Sequence, residues 1–234
     1  MAPTFHKRDS AGSTGPNGLR GTLFSSSPPE LVGGEISGLH VTTIDKAALR
    51  AQMHERRAAI SADVRKAAAS TIAVRADELL AQVGAGTAAC VSTYGAIGPE
   101  LDPSSLEVEL LLRGCTLCLP VMVGKAKPLV FRKYARGDQL VERLWGIKEP
   151  PATAAEVTPS ILLVPLLAFD DQGWRLGYGG GFYDRTLQVL RATSVAAAVG
   201  IAYDEQCVEE VPHLVYDEPL DWVLTPSGLR RCIR

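Results

Sequence analysis

The segment Arg175-Leu-Gly-Tyr-Gly-Gly-Gly-Phe-Tyr-Asp-Arg185 gathers the residue types that hold phosphate. Gly177, Gly179, Gly180 and Gly181 carry no Cβ, so backbone N–H groups there can converge on an anion at the positive end of the helix that follows. Arg175 adds a guanidinium fork matched to phosphate geometry. The spacing is not the dinucleotide G-x-G-x-x-G, because Phe182 stands where the last glycine would be. It is not a Walker A loop either, because no Gly-Lys-Ser/Thr follows. On spacing alone, a plain strand-to-helix turn explains these glycines equally well.

Other charged residues have spacings that suit the same chemistry. Lys46 and Arg50 are four residues apart and share one helix face, from which both can reach one phosphate chain; a solvated basic face that also contains His54 and Arg57 is the plainer reading. Asp184 opens the helix after the glycines and serves either as a first-turn acid or as a metal ligand beside phosphates. Asp217 and Asp221, just before the last strand, are candidates for a second oxygen ligand, or ordinary turn acids.

The elements that must place these residues alternate along the chain. Asp45 caps a helix on which Leu49, Met53 and Ile60 recur at helical spacing, and Ser61 caps a second that is expected to run to about Ala81. A strand over Ala88 to Thr93 precedes a helix with Asp102 as N-cap and Pro103 at its first position, ending near Arg113-Gly114. Further strands are predicted over Thr116 to Pro120, Leu129 to Tyr134, Ile161 to Pro165, Val195 to Ala202 and Trp222 to Thr225. A helix is expected over Phe182 to Arg191, and Glu149 to Pro159 reads as a long Pro-rich loop. This order predicts an α/β layered fold with a largely parallel sheet.

Composition narrows the function. The 234 residues are 46% apolar, enough for one compact core, and a net charge of -2 offers no field to hold a polyanion, so nucleic acid is not an expected partner. No apolar run approaches the roughly 20 residues of a membrane span. Five cysteines, an odd number, read as reduced structural thiols of a cytoplasmic protein; Cys115 and Cys118 fall on opposite faces of one strand rather than forming a metal pair. Residues 1–40, rich in Gly, Ser, Pro and Thr, read as a disordered extension to a single domain over 41–234. No long heptad run is present, and a monomer is expected.

Leu163-Val-Pro-Leu-Leu-Ala-Phe-Asp170 followed by Arg175 to Asp184 closely resembles the signature of the 5-formyltetrahydrofolate cyclo-ligases, also called 5,10-methenyltetrahydrofolate synthetases. Lys46-Ala-Ala-Leu-Arg50, Gly98-Pro-Glu-Leu-Asp102, Trp145-Gly-Ile-Lys-Glu-Pro150 and Val223-Leu-Thr-Pro226 extend the resemblance in order from about Ile44 to Ser227. It implies a three-layer, Rossmann-like fold akin to sugar-phosphate isomerases. The implied enzyme is an ATP- and Mg2+-dependent ligase converting 5-formyltetrahydrofolate to 5,10-methenyltetrahydrofolate with release of ADP and phosphate.

Carried over residue by residue, the resemblance assigns ATP to Lys46, Arg50, Arg175, Gly177, Tyr178, Gly179, Gly180, Gly181, Phe182 and Tyr183. It assigns the folate to Glu100, Trp145 and Tyr183, and magnesium to Asp184 and Asp217. Arg175 and Tyr183 are the residues expected at the reacting centre. Gly180 stands where some relatives carry Lys, which leaves the phosphate charge to Lys46, Arg50 and Arg175. A non-catalytic nucleotide-binding paralogue and a sugar-phosphate isomerase are the competing readings, and strict ATP dependence separates the second from a ligase.

Overall fold

The computed structural model describes residues 45–86, 88–143, 146–194 and 196–233. The expected N-terminal extension and Trp145 lie outside them.

Helix α1 (Lys46–Ala58) begins where the extended Asp45 accepts the Ala47 N–H through its carboxylate, at 3.2 Å. It buries Leu49 and Met53 as their spacing predicts. The second expected helix is divided into α2 (Ala62–Ala73) and α3 (Ala76–Gln82). At the break, the Arg75 N–H turns back to Ile72 O at 3.2 Å, and its guanidinium reaches the carbonyls of Pro226 and Ser227. Ile72, Ala76 and Leu79, spaced at i, i+4 and i+7, stay in one core cluster across the break.

The strands are β1 (Cys90–Ser92), β2 (Thr116–Val121), β3 (Val130–Tyr134), β4 (Val141–Glu142), β5 (Lys148–Glu149), β6 (Glu156–Val157), β7 (Ile161–Pro165), β8 (Ala168–Phe169), β9 (Arg175–Leu176), β10 (Ala197–Ile201), β11 (Trp222–Thr225) and β12 (Gly228–Arg231). Helix α4 (Ser104–Leu112) separates β1 from β2, and α5 (Phe182–Thr193) precedes β10. Helix α4 starts one residue later than expected, with Pro103 at the N-cap; Asp102 still accepts the Ser104 N–H at 2.9 Å. The expected loop over Glu149 to Pro159 contains β6, which pairs with β3.

Eight strands form one sheet in the order β12-β11-β10-β7-β1-β2-β3-β6. The inner five are parallel, while β3, β6 and β12 add antiparallel edges. Taken in chain order, the parallel strands β1, β2, β7, β10 and β11 stand as 2-1-3-4-5, a doubly wound arrangement whose order reverses between β1 and β7.

Helices cover both faces. Ile161 and Leu163 of β7 pack with α2, α3 and α4, and the alternate Leu162 and Val164 pack with Leu187 and Leu190 of α5. Both faces of β7 are therefore dry, as its continuous apolar run requires. Cys115 and Cys118 fall in these two different clusters, as expected, and neither they nor Cys90 and Cys207 form a disulfide. Leu49 and Met53 of α1 pack on Leu167, Ala168 and Leu176, beyond the carboxyl end of β7.

Candidate active site

In open α/β sheets, ligands bind outside the carboxyl ends of the strands, where the strand order reverses. The chain leaving β1 there carries Glu100, and the chain leaving β7 folds into the β8–β9 hairpin that delivers Arg175 and the glycine turn. Helix α1 lies against the same hairpin. Of the sequence-predicted site residues, those described gather at this crevice, Asp221 excepted.

The glycine turn is built around positive backbone angles. Gly179 has φ +93° and Gly181, which caps α5, has φ +63°. A side chain at Gly181 would also meet Arg185 Nη1 at 2.7 Å. No side chain caps α5 at this position, which leaves the turn's backbone and the helix dipole to face a ligand. Gly180 packs against the ring of Phe182, where a Cβ would approach within 2.8 Å.

The cations come to this turn from both sides. Arg50 Nε donates to Gly177 O at 2.9 Å, and its guanidinium lies about as close to Gly179 as a Cβ there would permit. Lys46, one helical turn earlier, pairs with Asp217 Oδ2 at 2.5 Å. Arg175 is buried; it donates to Asp184 Oδ1 at 2.7 Å and to the Glu218 carbonyl. Burial pulls the Arg175 guanidinium below its ordinary pKa, and the adjacent Asp184 opposes that fall.

Asp184 and Asp217 are neighbours, because Asp184 Oδ1 also accepts the N–H of Glu218, the residue after Asp217. Asp221 is committed elsewhere: it accepts the Ala198 N–H at the start of β10 at 2.8 Å and pairs with Arg191. Of the two candidates for a second metal ligand, Asp217 is the one that pairs with Lys46 and adjoins the residue bonded to Asp184.

Glu100 forms the other half of the site. Its Oε2 accepts the Ile97 N–H at 2.8 Å, and its Oε1 accepts the Tyr178 hydroxyl. The Tyr94 hydroxyl donates to Leu101 O at 2.6 Å and fixes the loop. Tyr183 is packed on the α5-side core near Arg175, and burial with the Glu100 charge pushes its phenol well above the usual range. Tyr178 thus joins the glycine turn to Glu100.

Arg57 departs from its expectation. Read from sequence as part of a solvated basic face, it is only 3% exposed, with Nη1 donating to Leu166 O at 3.2 Å. The signal was present: Leu49, Met53 and Arg57 follow one another at intervals of four, so Arg57 lies on the buried stripe of α1.

The residues fit a magnesium ion. Among the described residues no group of three or more His, Cys, Asp or Glu could hold a metal by itself. Magnesium does not need one, since it is commonly bound through one or two carboxylates together with substrate phosphates. Asp184 and Asp217 are hard oxygen donors of that kind.

A sequence model of the 5-formyltetrahydrofolate cyclo-ligase family matches residues 42–226. The chain is 39% identical over 142 residues to the 5-formyltetrahydrofolate cyclo-ligase of Escherichia coli, covering 58% of this chain and 78% of that one. It is 33% identical over 177 residues to the enzyme of that name from Haemophilus influenzae, covering 74% and 92%. The solution structure of Aquifex aeolicus 5,10-methenyltetrahydrofolate synthetase aligns with TM-score 0.65 at 26% identity, covering 81% of this chain and 93% of that one. The Mycoplasma pneumoniae synthetase shares the fold, with TM-score 0.61 at 22% identity over 78% of this chain and 99% of that one. With most of its length matched and its glycine turn, paired cations and Glu100 drawn to one crevice, the chain belongs to the 5-formyltetrahydrofolate cyclo-ligase family.

Proposed function

We propose that this chain converts 5-formyltetrahydrofolate to 5,10-methenyltetrahydrofolate with consumption of ATP and release of ADP and phosphate. The observation that carries the reading is the contact between Tyr178 of the glycine turn and Glu100, which joins a phosphate-binding half and a folate-binding half.

A formamide oxygen is a poor leaving group and needs activation before N10 displaces it. The N5-formyl oxygen attacks the γ-phosphorus of ATP; the new O–P bond forms as the bond to the ADP oxygen breaks. N10 then adds to the formyl carbon and loses its proton. The C–O bond breaks, and phosphate departs with the formyl oxygen. Such a transfer requires positioning and charge neutralisation rather than a protein nucleophile. Lys46, Arg50 and Arg175 supply the positive charge, and the glycine turn supplies N–H groups. Tyr183 lines the reacting centre with a phenol held in its protonated form. Asp184 and Asp217 are placed to hold magnesium, which would neutralise phosphate charge.

No helix among the described residues is long and apolar enough to cross a membrane, and Cys90, Cys115, Cys118 and Cys207, none in a disulfide, are in keeping with a reducing cytoplasm. The test is the ultraviolet absorbance of the methenyl product from 5-formyltetrahydrofolate. Product is expected only with ATP and magnesium together, and little or none from Arg175→Ala. Product formed without ATP, or none from folded protein, contradicts the reading.

A further inference from the structure

Arg57 is a buried guanidinium with too few partners. Its Nη1 bonds to Leu166 O and its guanidinium also meets the Tyr178 hydroxyl, but its Nε has no hydrogen-bond partner, and among the described residues it forms no ion pair with a carboxylate. A buried guanidinium N–H left without an acceptor is costly, so the position carries a cost that packing alone does not explain. Its Cζ lies 5.6 Å from the centre of the Tyr178 ring, on the residue whose hydroxyl donates to Glu100. An acceptor, Glu100, and a donor, Arg57, therefore flank one phenol. His54 holds the same ring from α1, with centroids 5.9 Å apart.

We propose that Arg57 and Glu100 together recognise the cyclic-amide edge of the pterin ring, and that the Tyr178 phenol competes with that edge for Glu100. The inference rests on the cyclo-ligase reading. The 2-amino-4-oxo edge presents N–H groups beside a carbonyl. The N–H groups suit the Glu100 carboxylate, and the carbonyl oxygen suits the Arg57 guanidinium. A phenol offers a donor and an acceptor on one oxygen, which is why Tyr178 can occupy the same place. A phosphate is a poor alternative for Arg57, because the Glu100 charge stands beside it. Since Tyr178 belongs to the glycine turn, entry of the pterin moves a residue of the nucleotide half, and Gly179, with φ +93°, gives that turn a conformation side chains rarely adopt.

Equilibrium binding to the full chain tests this, comparing 5-formyltetrahydrofolate with a 2,4-diaminopteridine of the same side chain, in which an amino group replaces the 4-oxo oxygen. The unaltered protein is expected to prefer the oxo ligand by about tenfold or more, and Arg57→Gln to lose that preference while retaining its melting temperature. Tyr178→Phe, freed of the competing phenol, is expected to bind 5-formyltetrahydrofolate about tenfold more tightly. A folded Arg57→Gln that keeps the oxo preference overturns the proposal. So does a Tyr178→Phe that binds no more tightly, and this arm decides alone should Arg57→Gln not fold. If the unaltered protein forms methenyl product but these changes leave discrimination intact, only this inference fails. If it forms no product and binds no folate, the cyclo-ligase reading fails first.

Discussion

Lys46 with Asp217 and Arg175 with Asp184 are ion pairs made from the groups that the proposed function assigns to phosphate and magnesium. Each cation keeps its acid neutralised, so binding Mg-ATP exchanges partners instead of uncovering bare charge. Asp184→Asn keeps the size and the Glu218 contact but loses a full negative charge. It should raise the magnesium concentration needed for half-maximal turnover by about tenfold or more, read from a magnesium titration at saturating ATP. An unchanged titration would return Asp184 to a first-turn acid of α5. At this scale the sequence was informative where spacing alone places a side chain: from one helix face Arg50 reaches the glycine turn and Lys46 reaches Asp217. Contacts between distant segments, such as Tyr178 with Glu100, 78 positions apart, were not legible, because neither residue's local pattern says where the other will be.

Helix α5 carries the glycine turn at its start, and its packing decides how firmly that turn is held. Leu187 and Leu190 seat the helix on Leu162, Val164 and Ala198 of the central strands, and Thr186 accepts the Leu129 N–H at 2.9 Å. Leu187 is fully buried, so Leu187→Ala should lower unfolding stability by about 2–5 kcal/mol, measured by denaturant titration. A change below about 1 kcal/mol would mean the site closes around the cavity and the seat is softer than described. The elements with strong periodicity or long apolar runs, α1, α5, β7 and β10, stood out in the sequence. The short pairings β4–β5, β8–β9 and β3–β6 did not, since two-residue strands carry no period. The bend between α2 and α3 is set by Arg75 reaching the turn after β11, a tertiary contact with no local signature.

Over the whole molecule, the doubly wound order brings the ends of β1 and β7 side by side, and the loops after them supply the two halves of the site. All the described catalytic candidates lie between Lys46 and Asp217, so the extension over residues 1–40 has no assigned part in the chemistry. Deleting residues 2–40 is expected to leave kcat/KM within about twofold, checked in the methenyl assay; a larger loss would assign the extension a role in the site. Alternating strands and helices made the parallel core legible in the sequence, whereas the antiparallel edges β3, β6 and β12 were not, because strand direction is fixed by the connections and not by the strands themselves.

The proposed reaction turns on one step, transfer of the γ-phosphoryl group to the formyl oxygen. The direct measurement is a single turnover with 5-formyltetrahydrofolate carrying ¹⁸O in its formyl group, followed by mass analysis of the released phosphate. The account predicts one ¹⁸O in each phosphate formed. Unlabelled phosphate, with the label recovered in water, would contradict it.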